Sequence, residues 1–343
     1  MRWIVIDPEK DSRWDGFILE SPTGSVYHLS SWIRVVASAY GYTSFCLALE
    51  SAGKLRGIAP FLRVNSPLTG KRLVSLPFTS YCRALFPPLE TSRVVDLALK
   101  CHPDVDYVEF RFPQESQPVF EPPEPQLSFT THVLNLDRSL DALVRTFHTS
   151  VRRSIRKADR SDLRLRMAET EADLKEFYKL EVAVRKKHGL PPQPYRFFAR
   201  MWKILRPKKL LFMPLVEHGN RVVAASLMLR FKDTFHYEYA ASDRDFLRLR
   251  PNHKLIWETI QMAHREGARY YDFGRTSLTN PTLALFKERW GAQPQPLAYH
   301  RFPRRRRVPG ASVPLRPLLT FVHRRLPAPL LRLEGRLIYP HMG

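Results

Sequence analysis

The chain is short of several things that would each decide a question. Its 343 residues include three cysteines, Cys46, Cys82 and Cys101, with no C-x-x-C pair and no histidine spaced to complete a zinc site. That excludes a disulfide framework and leaves buried free thiols as the expectation. Long apolar runs are missing too: residues 222–229 are among the longest, at about eight residues against the ~18–20 of a membrane-spanning helix. The first residues, Met1 to Pro8, carry an apolar run too short for a secretory signal, with acidic and proline residues close behind, so a cytosolic N-terminus is expected. There is no G-x-x-x-x-G-K-[ST], no G-x-G-x-x-G and no G-x-S-x-G, which removes the usual signals of phosphate loops, dinucleotide folds and serine-hydrolase elbows. Acidic residues are scarce, 33 against 55 Lys and Arg, for a net charge of +22. Such an excess implies an anionic partner: nucleic acid, the negative face of a membrane, or a phosphate-bearing substrate.

What is present is enough for an ordinary folded protein. With 44% hydrophobic and 12% aromatic residues, the chain has material for a core, and its length suggests two domains. The basic residues cluster. Eight lie between Arg145 and Arg166 against only Asp159 and Asp162, and Arg304 to Arg307 opens a second basic region. In the first cluster Leu140, Leu143, Val144, Phe147, Val151 and Ile155 recur every three or four residues, which predicts a helix over 140–158. Arg152, Arg153 and Arg156 project from its other faces, as a solvated surface or a phosphate-binding one. After Arg307, Leu330, Leu333 and Leu337 form one helical stripe beside Leu331 and Ile338, with Arg332 and Arg336 between. This basic amphipathic pattern suits a membrane interface or packing against the body of the protein.

The proline-rich stretch 113–125 interrupts regular structure and marks a connector. Before it, residues 45–50 and 57–64 read as a hairpin, and 107–112 as another strand. Residues 212–217 and 222–231 repeat that hairpin. At a constant shift of 167, Phe45 falls on Phe212, Glu50 on Glu217, Leu62 on Leu229 and Arg63 on Arg230. Four identities are faint, but the shift is close to half the chain and favours two related units. In the second unit a strand at 163–167 and helices at 172–187 and 195–205 precede the hairpin. The strand 234–241 then alternates, with His236 and Glu238 on one face and Tyr237 and Tyr239 on the other. A helix from Pro251-Asn252 to Gly267, a strand at 268–273 and a short helix capped by Asn280-Pro281 complete a βαβ series. Asp104-Val105-Asp106 has the spacing of a metal–nucleotide pair but nothing around it to extend the match.

One string is specific. Tyr271-Asp272-Phe273-Gly274 is followed by Phe286-Lys287, then Trp290-Gly291 and a final strand at 296–299. Upstream stands Arg152-Arg153-Ser154-Ile155-Arg156-Lys157-Ala158. The series resembles the FemAB-like branch of the GNAT acyltransferase superfamily, the Fem-type peptidyl and aminoacyl transferases, from about residue 140 to 299. The resemblance implies an α/β fold of two tandem GNAT-like units with mixed central sheets flanked by helices, plus the basic amphipathic tail. The expected divisions are 1–130, 131–303 and 304–343. It also implies acyl transfer, with acyl-CoA or aminoacyl-tRNA as donor substrate rather than a bound cofactor. The acceptor would be an amine of a cell-envelope or polysaccharide precursor. No long coiled-coil arm and no glycine-rich pyrophosphate loop is present to choose the donor.

Acyl transfer from an activated ester to an amine requires no enzyme nucleophile. It requires alignment, stabilisation of an oxyanion and a route for the amine's proton. By the resemblance, the F-K lysine lies at the reacting centre, which assigns that role to Lys287 with Phe286 beside it. Glu238 and His236 are the candidates for proton removal. Asp272 and Arg275 flank the strand-end glycine where α/β ligands commonly bind, and Arg152, Arg156 and Lys157 suit a diphosphate or a nucleic-acid backbone. Tyr237 and Tyr239 complete the substrate-binding candidates. The expected partners are an anionic or lipid-linked substrate, with tRNA and an anionic membrane surface as further candidates, and the expected location is cytoplasmic, peripheral on the inner face of the membrane. The competing reading is a non-catalytic RNA- or membrane-binding protein on a transferase-derived fold.

Overall fold

A computed structural model describes residues 1–113, 126–304 and 316–343. Most of the proline-rich connector and Arg305 to Arg307 therefore lie outside the described residues. The chain divides into two compact units, one of residues 1–129, 296–313 and 337–343, the other of residues 130–295 and 314–336. Contiguous divisions were expected at 130 and 303. The first unit instead takes back a late strand and the last residues, because residues 297–303 pair with a strand of the first unit.

In the first unit β1 (Arg2–Ile6), β2 (Thr43–Ser51), β3 (Lys54–Ser66), β4 (Gly70–Val74) and β5 (Tyr107–Pro113) stand in sequence order. The pairings are antiparallel as far as β4, and β4–β5 is parallel. Helices α1 (Arg13–Glu20) and α2 (Ser30–Tyr40) fill the β1–β2 connection, and α3 (Thr91–Cys101) is the crossover between the parallel strands. The crossover helix buries Val94, Val95 and Ala98 among Phe61, Val108 and Phe110, the apolar cluster of this unit. On the other face of β5, Glu109 lies 2.8 Å from both Arg111 and Arg301. Burial pushes its carboxyl up, but the two guanidiniums outweigh burial and hold it below the usual range. Asp104 pairs with Arg63 and Lys71, and Asp106 accepts the Lys71 amide, so this acidic pair shapes a turn. Cys46 and Cys82 are buried as expected, whereas Cys101 is exposed at the end of α3.

The second unit repeats this plan. Its strands are β6 (Gln126–Asn135), β7 (Leu163–Met167), β8 (Leu211–Phe212), β9 (Pro214–His218), β10 (Arg221–Phe231), β11 (Thr234–Ser242) and β12 (Tyr270–Ser277). They stand in the order β7-β9-β10-β11-β12-β6, with β8 also on β10, and β13 (Gln293–Pro303) follows in the chain. Again the hairpins are antiparallel and one pair, β11–β12, is parallel. The faint repeat in the sequence is thus a repeat of topology, with β3 and β10 as corresponding strands.

Helices α4 (Leu140–Thr146), α5 (Thr149–Asp159), α6 (Glu171–Lys187), α7 (Tyr195–Leu205), α8 (Pro251–Arg265) and α9 (Pro281–Glu288) cover this sheet. The single helix expected over 140–158 is two. Phe147 turns to extended backbone and buries its ring against Trp257 and Trp290, and His148 caps α5 by accepting the Ser150 amide. Helices α5 and α8 place Val151, Ile155, Ile256 and Ile260 in one core with Tyr271, Phe273 and Phe235. The last helices are α10 (Arg316–Arg325) and α11 (Ala328–Ile338). Among the described residues no helix is long and apolar enough to cross a membrane.

Candidate active site

The parallel ladder between β11 and β12 runs from Thr234–Tyr270 to His236–Asp272 and stops, while both strands continue. The candidate site lies where they part. Opposite Leu227 and Met228 of β10, strand β11 carries one extra residue, because Leu227 pairs with Tyr239 and Met228 with Tyr237. The extra residue is Glu238, so a β-bulge sets this carboxylate off the regular ladder. Burial, with the Asp272 carboxylate nearby, pushes Glu238 up to about 8 against the pull of Arg275 and Lys287.

The bulge also breaks the expected alternation. Tyr237 packs with Tyr271 and Phe273 on the α8 side, whereas Tyr239 packs on Phe197 and Phe198 of α7. The two tyrosines do not share a face as predicted, because an inserted residue reverses the side-chain sense of everything after it.

On β12 the buried Asp272 accepts hydrogen bonds at one carboxylate oxygen from Thr131 Oγ1 (2.7 Å) and the Gly274 amide (2.8 Å). Its other oxygen is 3.3 Å from His236 Nδ1. Burial pushes Asp272 up, but His236, Thr131 and the Gly274 amide together outweigh it and keep the group ionised. Gly274 has φ of +71°, a left-handed conformation that glycine alone adopts without strain. That rotation lets its amide bond Asp272 while its carbonyl accepts a 2.6 Å bond from Lys287 Nζ.

Lys287 reaches this point from α9, whose first turn is fixed as the sequence predicts: Asn280 Oδ1 accepts the Leu283 amide and Pro281 opens the helix. The side chain is 6% exposed, and a second carbonyl, that of Arg275, lies 3.4 Å from Nζ. Burial brings Lys287 down to about 8, against the attraction of Asp272 and Glu238. An ammonium has three protons; with two directed at carbonyls, one is available for an incoming oxygen.

The structure therefore brings together His236, Glu238, Asp272, Arg275 and Lys287. Phe286 turns away, edge-on to His253 and against the core. Arg152 is half-buried on α5, and Arg156 and Lys157 are exposed there with Arg153, Arg160 and Ser161 around an open groove of about 570 Å³. Two neighbours were not foreseen. Thr131 and His132 come from β6, where His132 is fully buried, 3.5 Å from Thr276 Oγ1 and 3.7 Å from Glu288. Burial and the Lys287 charge push His132 below its ordinary range. A threonine and a histidine about 140 residues upstream of their partners leave no trace in local spacing.

Residues 145–294 match the family model of the acetyltransferase (GNAT) domain. Over 101 residues the chain is 32% identical to the lipid II:glycine glycyltransferase of Staphylococcus haemolyticus (strain JCSC1435). That match covers 27% of this chain and 24% of the relative, so the chain spans about a quarter of the length of the curated relative it matches. Among solved structures, FemX superimposes with a TM-score of 0.70 at 15% identity, covering 94% of this chain and 100% of FemX. A tandem GNAT protein from the clavulanic acid biosynthesis pathway gives 0.53 at 11% identity, covering 88% and 98%. Both are similar in fold over two GNAT-like units. The matched domain over residues 145–294, the doubled topology and the D-F-G, F-K and W-G series make the chain similar to the FemAB-like branch of the GNAT acyltransferase superfamily.

Proposed function

We propose that the chain transfers an acyl or aminoacyl group from an activated donor, acyl-CoA or aminoacyl-tRNA, to an amine of a cell-envelope or polysaccharide precursor, acting beside the inner face of the membrane. One observation carries this reading: the buried Lys287 ammonium is tethered to the Gly274 carbonyl at 2.6 Å, among Asp272, Glu238 and His236. As the amine attacks, charge develops on the acyl oxygen. The third proton of Lys287 stabilises it in surroundings where a hydrogen bond is stronger than in water. Glu238, with its raised affinity for a proton, takes the proton from the amine; collapse of the tetrahedral intermediate breaks the bond from the acyl carbon to the donor's sulfur or oxygen, and that proton goes to the departing CoA thiol or tRNA hydroxyl. The Asp272–His236 pair fixes the floor of the site. The relative named for lipid II supports a lipid-linked acceptor. Arg275, exposed at the end of β12, is the group for an anionic part of either substrate.

The test begins with thermal unfolding of the full chain in the presence of acyl-CoA, aminoacyl-tRNA or a lipid-linked sugar diphosphate, since a ligand of the native state raises its stability by mass action. Mass analysis of an amine acceptor incubated with the stabilising donor follows. The reading expects a donor-specific rise and a mass gain absent in Lys287→Ala. A mass gain undiminished in that variant would sink the site assignment.

A second reading rests on α5. Arg153, Arg156, Lys157 and Arg160 line one groove without an acidic residue among them, as a polyanion-binding protein would require. Binding of RNA that falls with salt at a log–log slope of about −0.7 per contact, without any turnover, would favour it.

A further inference from the structure

Helix α11 presents two faces that do different things. Its inner face is locked to the second unit: Leu331 is buried, and a side chain added at Gly335 would strike the Pro192 carbonyl at 2.1 Å. His323 of α10 bridges the Gly189 carbonyl (3.0 Å) and Glu334 of α11 (2.6 Å), fixing both helices to the α6–α7 connection. The leucines of the outer face have no such partner among the described residues. Leu330 and Leu333 are 51% and 52% exposed, and Leu337 follows one turn on at 61%. At 100° per residue, Arg336 falls on the same outward arc beside these leucines, and Arg332 stands at its edge, where its guanidinium lies 5.5 Å from the ring of Tyr178 of α6. On α10, Phe321 and Val322 are also exposed, with Arg324 and Arg325 next in sequence. No acidic side chain interrupts the outer arc of α11: its one carboxylate, Glu334, is turned inward to His323.

We propose that this outer face of α11 is a docking surface for an anionic lipid bilayer, with the helix lying in the interface, its leucines among the acyl chains and its arginines on the phosphates. Charge complementarity chooses this occupant. A row of exposed leucines flanked by arginines, without carboxylates, fits a surface that is apolar beneath and negative at the rim. A second copy of a chain carrying +22 would bring like charges together. The rigid mount matters as well, because a helix already folded and fixed loses little freedom on docking. The inference deepens the proposed membrane-side reaction by naming the surface that holds the protein there, and it is read by binding rather than turnover.

Flotation of the full chain with phosphatidylcholine vesicles, with and without about one-third phosphatidylglycerol, tests it. Binding is expected only with the anionic lipid. Leu330→Ser with Leu333→Ser should weaken it at least tenfold, Arg336→Glu by about fivefold or more, and unfolding midpoints should stay at the wild-type value. Lys287→Ala should float as the wild type does, so lost turnover with intact flotation counts against the proposed reaction alone. Equal binding to neutral vesicles, unchanged binding in both the leucine and the arginine variant, or a dimer in solution that Leu330→Ser with Leu333→Ser dissociates, would overturn the proposal.

Discussion

Lys287 Nζ lies 2.6 Å from the carbonyl oxygen of Gly274, and the amide of that same glycine lies 2.8 Å from Asp272. One peptide rotation therefore ties a buried cation and a buried anion to a single residue, and it does so through a φ of +71°.

Replacing Gly274 should test that tie directly. Gly274→Ala forces an L side chain into the left-handed region at about 1–2 kcal/mol, visible as a lower thermal midpoint, and misdirects both hydrogen bonds. Turnover should fall more than tenfold, with Gly274→Asn intermediate because asparagine tolerates this conformation better.

Lys287→Met keeps the volume of the side chain and removes its charge. A loss of about 10²–10³ in kcat is expected for a donor aimed at an oxyanion, with KM for the donor little changed. Folding should be unimpaired, because a desolvated charge is lost. Wild-type kcat in this variant would remove Lys287 from the chemistry.

The pH dependence follows from two displaced groups. Glu238, raised to about 8, becomes a base as the pH climbs through that value; Lys287, lowered to about 8, loses its charge over the same range. The profile of kcat/KM should be a narrow bell centred near pH 8, with apparent values that belong to the pair. Glu238→Gln should lose the acidic limb, and a flat profile from pH 6 to 9 would contradict both roles.

Away from the site, Glu181 of α6 is buried and burial pushes it up to about 7, Arg185 opposing. Folding thus favours its protonated form. Its contribution to stability is present below the unfolded value near 4.5 and is lost as the pH rises through 7. Glu181→Gln should be more stable than the wild type at pH 8, by up to about 3 kcal/mol, and similar to it at pH 4, as denaturant titrations at the two values would show.

Much of this site could be read from the chain. Asn280 and Pro281 announced the start of α9, and the D-F-G string marked the point where β11 and β12 part, although β12 runs on to Ser277 instead of ending at 273; the facing of His236 and Asp272 came only with the strand pairing. Periodicity failed where one residue changed the count. The bulge at Glu238 sent Tyr237 and Tyr239 to opposite faces, and the extended turn at Phe147 cut a helix whose apolar spacing runs straight through the break. Thr131 and His132 were invisible for another reason, since their partners are set by tertiary pairing and not by neighbours in sequence. In the first half, β1, α1 and α2 went unread, although Trp32, Val35, Val36, Ala39 and Tyr40 of α2 recur at helical spacing and are buried.

The return of residues 297–303 to β5 has a consequence for how the protein is made. On the ribosome, β5 emerges early, yet the strand that covers its free edge is encoded only after the whole of the other unit. At ordinary elongation rates that edge stands open for about 10–40 s, a template for wrong pairing that a nascent chain must keep shielded. Fragments ending before residue 296 keep that exposure permanently. They should aggregate, although every residue of β1 to β5 is present.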